Sequence, residues 1–239
     1  MKKQITVFVA GLLCTFSSVS LAQDDIEPVK PRTKLFEHQV GVQMNELVRQ
    51  VFNFNGTGSS LNNPYLLMYS LNLAKSGWGV RLGLGPEFNT FKDDDGITIR
   101  ENNVNKINAR LGLEKSFRLS DRWTAGAGLD GVYSSDISYS KTSVRSFDST
   151  RTDLASQTTT QGGGAMGWLR YRISSHVLIG SEASFYYRTG KYKQKIEITR
   201  RVSNGIGTPK FETSTTELDN KLKEGVFNLP MVFYLIVRF

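Results

Sequence analysis

Eight charged side chains sit at alternate positions in stretches that are otherwise apolar or small: Arg81, Glu87, Arg110, Glu114, Asp130, Glu182, Arg188 and Arg238. On one face they can neutralise one another in a paired network. Inside a protein such pairing is obligatory, because an uncompensated buried charge costs several kcal/mol. A second group, Lys191, Lys193, Lys195, Arg200 and Arg201, follows closely after Arg188. Point positive charges of this kind suit phosphate, so the group reads either as a contact for lipopolysaccharide phosphates or as an ordinary solvated hairpin. Residues for catalysis are scarce. His38 precedes the first strand and His176 sits in a turn, neither near the outer rim where a Ser-His-acid or Asp-His site would be built. Asp93-Asp94-Asp95 reads as a solvated loop, and Gly162-Gly163-Gly164 as the start of a strand. There is no Cys/His metal spacing and no phosphate loop. The expectation is no enzyme, no cofactor, no metal and no nucleic-acid partner.

The elements that must position these charges announce themselves by alternation. In Trp78 to Phe88, the positions Trp78, Val80, Leu82, Leu84, Pro86 and Phe88 share one parity. Gly79, Arg81, Gly83, Gly85 and Glu87 share the other. Side chains alternate faces along a strand, so one face is apolar and the other small or charged. The run Tyr65 to Ala74 repeats the pattern, with Tyr65, Leu67, Tyr69, Leu71 and Leu73 together. So do Lys106 to Glu114, Trp123 to Ser134 and Val177 to Arg188. Gln39 to Asn45 and Phe227 to Phe239 add a first and a last strand. Gly162 to Ile173 makes the eighth; its facing stays open, because Met166 and Trp168 share a parity with Arg170 and Arg172.

Connections alternate in length. Tight turns fall at Ser76, Asp121 and Ser175. Longer polar loops are expected at 53–63, 92–103, about 141–161 and about 199–221. The basic run through Lys191, Lys193 and Lys195 alternates with Tyr192 and Ile196, so the seventh strand can continue beyond the others. At the N-terminus, Lys2 and Lys3 precede an apolar stretch from Ile5 to Phe16, and Ser20-Leu21-Ala22 offers a cleavage site. The expected organisation is a signal peptide over 1–22, a periplasmic tether over 23–36 containing Pro28 and Pro31, and a barrel over 37–239. Cys14, the one cysteine, belongs to the signal. Leu12-Leu13 before it lacks the small residue of a lipoprotein site. Hydrophobic content is 39% and mean hydropathy −0.30. Strands that need apolar residues only at alternate positions fit that composition better than spanning helices do.

These features predict an all-β, eight-stranded antiparallel up-and-down transmembrane barrel with both ends in the periplasm. Lipid offers the backbone no hydrogen bonds, so a sheet there must close on itself. Trp78 and Trp123, and nearby Trp168, are placed beside turns as an interfacial girdle would be. The last strand alternates apolar residues back from Phe239. In this the chain resembles the eight-stranded outer-membrane barrels, and with Gln23 after Ala22 it resembles the uncharacterised outer-membrane barrel proteins of Bacteroidetes-type bacteria. The resemblance implies an outer-membrane location in a Gram-negative cell and recognition of Phe239 by the barrel-assembly machinery. The function read here is a structural or surface-interaction barrel with a plugged lumen, meeting outer-membrane lipid and lipopolysaccharide. Two alternatives stay open. One is a transport or secretion component, with the charges lining a narrow ion path. The other is a lipocalin-like ligand-binding barrel with the opposite facing.

Overall fold

Period-two patterning should give strands, and the computed structural model contains eight of them. It describes residues 35–44, 64–145, 149–202 and 210–239. The expected signal peptide, nearly all of the expected tether and the 53–63 loop lie outside these residues. The strands are β1 (Phe36–Gln43), β2 (Leu67–Leu73), β3 (Trp78–Asp94), β4 (Thr98–Arg118), β5 (Trp123–Val144), β6 (Thr150–Arg172), β7 (Val177–Val202) and β8 (Lys210–Arg238). Each pairs antiparallel with its sequence neighbour, and β8 returns to β1, closing the barrel. Tight turns join β2 to β3, β4 to β5 and β6 to β7, as the sequence suggests. They define a turn end, shared by the start of β1 and the end of β8.

Closure is completed at the β1–β8 seam. Val40 pairs with Val237, and His38 exchanges backbone hydrogen bonds with the terminal Phe239, at 3.2 and 3.0 Å. The two rings stack with centroids 5.6 Å apart. Phe239 thus ends the strand that seals the sheet. One irregularity interrupts the neighbouring β7–β8 ladder. Glu182 pairs with Val232 and Ser184 with Asn228, so β8 carries extra residues there. Pro230, which has no N–H to give a ladder, falls in that bulge.

The three connections expected as long loops at 92–103, 141–161 and 199–221 are largely strand instead. β3 and β4 continue to Asp94 and Thr98, β5 and β6 to Val144 and Thr150, and β7 and β8 to Val202 and Lys210. These segments are mostly polar on both faces, with scattered apolar residues such as Ile97, Phe211 and Leu218, so no hydrophobic alternation marks them. What makes them strands is β-branched content and cross-strand side-chain pairs. Ser138 and Ser156 share a hydrogen bond of 2.8 Å, Thr199 and Thr213 one of 3.1 Å, and Lys92 meets Glu101 at 2.7 Å. The β3–β4 turn narrows to Asp95-Gly96-Ile97, with Gly96 at positive φ. The Asp95 carboxylate accepts the backbone N–H of Thr98 and of Ile97. These two bonds, in that order, hold its carboxyl below the ordinary value.

The outer wall is apolar near the turn end. Leu82, Leu84, Leu111, Leu113, Leu129, Ile179, Phe185 and Phe227 all point outward and are exposed. Inside, large side chains alternate with glycine across the ladder. Gly83 pairs with Arg110, Gly126 with Trp168, and Gly112 lies between Arg81 and Asp130. A Cβ on Gly83 would collide with the Arg110 side chain, and one on Gly126 with the Trp168 indole. Gly131, on the outer wall, has only the Leu111 carbonyl oxygen at 3.7 Å. Gly83→Val is therefore expected to cost about 1–3 kcal/mol through overpacking. Gly131→Ala should leave stability within about 0.5 kcal/mol, as surface changes do. Urea titrations of the two folded variants, read by heat-modifiable gel mobility, check the contrast.

Candidate functional site

The parity that carries glycine in β3, β4 and β5 also carries arginine and carboxylate, so the ladder itself directs those charges to the barrel axis. Six charged residues are buried there among the described residues: Arg81, Arg110, Arg170, Glu114, Asp130 and Glu182. Three cations face three carboxylates, so the lumen is neutral in sum. Five of these stand in the expected set. Arg170 does not, because its strand's facing is ambiguous in sequence.

Two connected clusters fill the lumen. In the first, Glu182 on β7 bridges two arginines. Arg81 Nη2 donates to Glu182 Oε2 at 2.7 Å, and Arg110 donates to both carboxylate oxygens, at 3.1 Å from Nη2 to Oε2. Arg81 Nε lies 3.5 Å from Asp130 Oδ1, and the Tyr186 hydroxyl donates to Asp130 Oδ2 at 2.7 Å. The Arg110 guanidinium also lies 4.3 Å from the centre of the Tyr65 ring. In the second cluster, nearer the turn end, Glu114 accepts from Trp168 Nε1 at 2.9 Å and from Asn72 Nδ2 at 3.1 Å. Arg170 Nη2 stands 3.6 Å from Glu114, and Nη1 donates to Gln39 Oε1 at 2.7 Å. The Arg170 guanidinium packs 3.7 Å from the centre of the Trp168 ring. Apolar groups close the space on both sides: Met68, Leu178, Tyr234 and Ile236 toward the turn end, and Tyr65, Val132 and Tyr186 toward the extensions. One cavity among Met68, Trp168, Arg170 and Tyr234 measures about 10 Å³, roughly the space of a single water.

Three expected members of the network stand elsewhere. Glu87 is half exposed and lies 3.7 Å from Lys106, further from the turn end. Arg188, 19% exposed, faces inward above the plug and meets Glu224 at 3.1 Å. Arg238 reaches the turn end, where it donates to the Ser175 carbonyl at 2.8 Å and lies 3.6 Å from Glu37. All three have the expected parity; their height along the barrel differs. Trp168 corrects the girdle. It is buried in the lumen, whereas Trp78 and Trp123 are exposed on the outer wall. Tyr65, expected outward with Leu67, is also buried. It precedes the start of β2 and so escapes the strand's alternation.

The basic group divides as well. Lys191, Lys193 and Lys195 lie on the outer face of β7 and are exposed. Lys195 meets Glu197 at 3.7 Å. Arg200 and Arg201 lie near the far end of β7, paired in register with Glu212 and Phe211. His38 belongs to the seam, with Nδ1 2.9 Å from the Tyr69 hydroxyl, and His176 to the β6–β7 turn.

Fold and interior together define a class: a closed eight-stranded barrel turned inside out, apolar on its wall and charge-paired within. No protein-family model matches the chain, and no curated protein matches it. A solved structure to which it is similar is CarO of Acinetobacter baumannii, with a TM-score of 0.38 and 12% identity, covering 88% of this chain and 99% of that one.

The geometry makes Glu182 the most costly carboxylate to remove, since its loss strands Arg81 and Arg110 together. Glu182→Ala is expected to destabilise the barrel by about 3–5 kcal/mol. Glu87→Ala, at an exposed pair, should stay within about 1 kcal/mol. Equilibrium urea unfolding in lipid vesicles distinguishes the two; equal losses would show that Glu87 belongs to the network after all.

Proposed function

We propose that this chain is an outer-membrane β-barrel with a sealed lumen and a structural or surface-interaction role, and that it performs no catalysis. The observation that carries the reading is the inverted polarity. An exposed leucine and phenylalanine wall surrounds a buried, charge-paired network of three arginines and three carboxylates. A wall of this kind in water would be a large aggregation hazard, whereas in lipid it is the stable arrangement. A lipocalin-like barrel has the reverse facing, with an apolar ligand cavity inside. Trp78 and Trp123, beside the tight turns, suit the interface on the periplasmic side. There Lys115 lies 5.3 Å from the Trp78 ring, and Trp123 packs against Tyr171 at 4.9 Å.

The interior favours a plug over a path. Apolar residues flank the clusters on either side, and a cavity found beside them has about the volume of one water. Six polar strands project past the wall and present a surface outside the membrane. On this reading the barrel anchors that sheet, and the barrel-assembly machinery reads the strand ending at Phe239. The finer likeness to barrel proteins of Bacteroidetes-type bacteria belongs to the same proposal and rests on Gln23 after Ala22 together with that last strand.

Two measurements test it. The native protein is expected to sediment with outer membranes on a density gradient and to shift its gel mobility on heating. In planar bilayers it should show no stable conductance steps. Recovery in a soluble fraction would sink the location, and reproducible channel steps would sink the sealed lumen.

A further inference from the structure

Directly above the apolar wall, β6, β7 and β8 turn one polar, basic face outward. The register sets Thr159 beside Lys191 and Lys191 beside Lys221. Gln161, Thr189 and Lys223 form the next row toward the wall, and Lys193 lies between Gln157 and Asp219 in the row beyond. These side chains line a groove of about 520 Å³. Lys191, Lys193, Lys221 and Lys223 are exposed, and none has a carboxylate within ion-pair distance among the described residues. The other extensions differ. Lys92 meets Glu101, Lys106 meets Glu87 and Asp136, and Arg145 meets Asp94. Opposing Lys191 with Lys221 is itself unfavourable, because like charges directly across a ladder repel. An anion between them converts that repulsion into attraction.

Height identifies the anion. The last aromatic of the apolar wall before the lysines is Tyr187 on β7 and Phe227 on β8; the first lysine stands four residues further out on each strand, Lys191 and Lys223. Four residues advance about 13 Å along a strand. With a tilt near 40°, that places the lysines about 10 Å above the aromatic rings. Headgroups occupy about 5–7 Å beyond the hydrocarbon, and a lysine stem can bend its charge back toward them. Arg200 and Arg201 lie roughly 30 Å further along the strand, well past that layer.

We propose that Lys191, Lys193, Lys221 and Lys223, with Thr159, Thr189 and the Gln157 and Gln161 amides, form a binding site for the phosphate groups of an outer-leaflet glycolipid. The inference rests on the membrane reading above and names the lipid chemistry of that surface. It narrows the sequence expectation of lipopolysaccharide contact: Lys221 and Lys223 join Lys191 and Lys193, while Lys195, which meets Glu197, and Arg200 and Arg201 leave the site. Lysine suits a headgroup phosphate, as a compact charge on a flexible stem that follows a mobile ligand.

The test uses the full mature barrel folded in neutral detergent and titrated with lipopolysaccharide, with dephosphorylated lipopolysaccharide and with inorganic phosphate. The parent should bind the phosphorylated form about tenfold or more tightly than the dephosphorylated one, as expected when several lysines act together. The variant K191Q/K193Q/K221Q/K223Q should lose that preference while keeping its heat-modifiable mobility. R200Q/R201Q should keep it. An unchanged preference in the quadruple variant, or its loss in R200Q/R201Q, overturns the site. Saturation by millimolar inorganic phosphate with no gain from the lipid assigns the groove to a free anion and equally overturns it. If the parent fails to enter membranes, the membrane reading fails; if it enters them and shows no phosphate preference, only this inference does.

Discussion

A charge on the axis of this barrel cannot be solvated, so it must meet its opposite across the lumen. Glu182 does this for two strands at once, drawing Arg81 from β3 and Arg110 from β4 toward β7. Those contacts span the closed sheet in space and much of the chain in sequence. They brace the barrel across its axis, joining strands that the neighbour-to-neighbour ladder does not itself connect. Asp130 with Arg81, and Glu114 with Arg170, repeat the device at other levels.

The same constraint decides where glycine goes. Six buried charges and an indole do not fit inside eight strands unless their neighbours give way. Gly83 yields to Arg110, Gly126 to Trp168 and Gly112 to Asp130. Strand propensity is sacrificed at those positions so that charge can be paired. The outer wall bears no such demand and carries leucine and phenylalanine instead. Inside and outside are thus two consequences of one period-two pattern.

Face was legible in the sequence and height was not. Parity placed Arg81, Arg110, Glu114, Asp130 and Glu182 correctly in the lumen. The same parity placed Glu87, Arg188 and Arg238 beside them, though Glu87 sits further from the turn end, Arg188 above the plug and Arg238 at the turn end. Arg170 was hidden because β6 puts tryptophan, methionine and arginine on one face. The resolving fact is that Trp168 stacks on Arg170 and donates to Glu114, so all of them can be internal. The long extensions escaped for a different reason. Water on both sides removes the hydrophobic alternation, leaving only β-branched content and cross-strand pairing to reveal the strands. Lys221 and Lys223 were missed with them, since their closeness to Lys191 exists only in the β7–β8 register.

The central claim, an apolar wall facing lipid around a paired interior, is tested most directly by its three tryptophans. Variants retaining Trp78, Trp123 or Trp168 alone, folded into vesicles containing brominated lipid, report which indoles touch acyl chains. The account predicts strong fluorescence quenching of Trp78 and Trp123 and little of Trp168. Quenching of Trp168 with Trp78 and Trp123 left bright in water would contradict it.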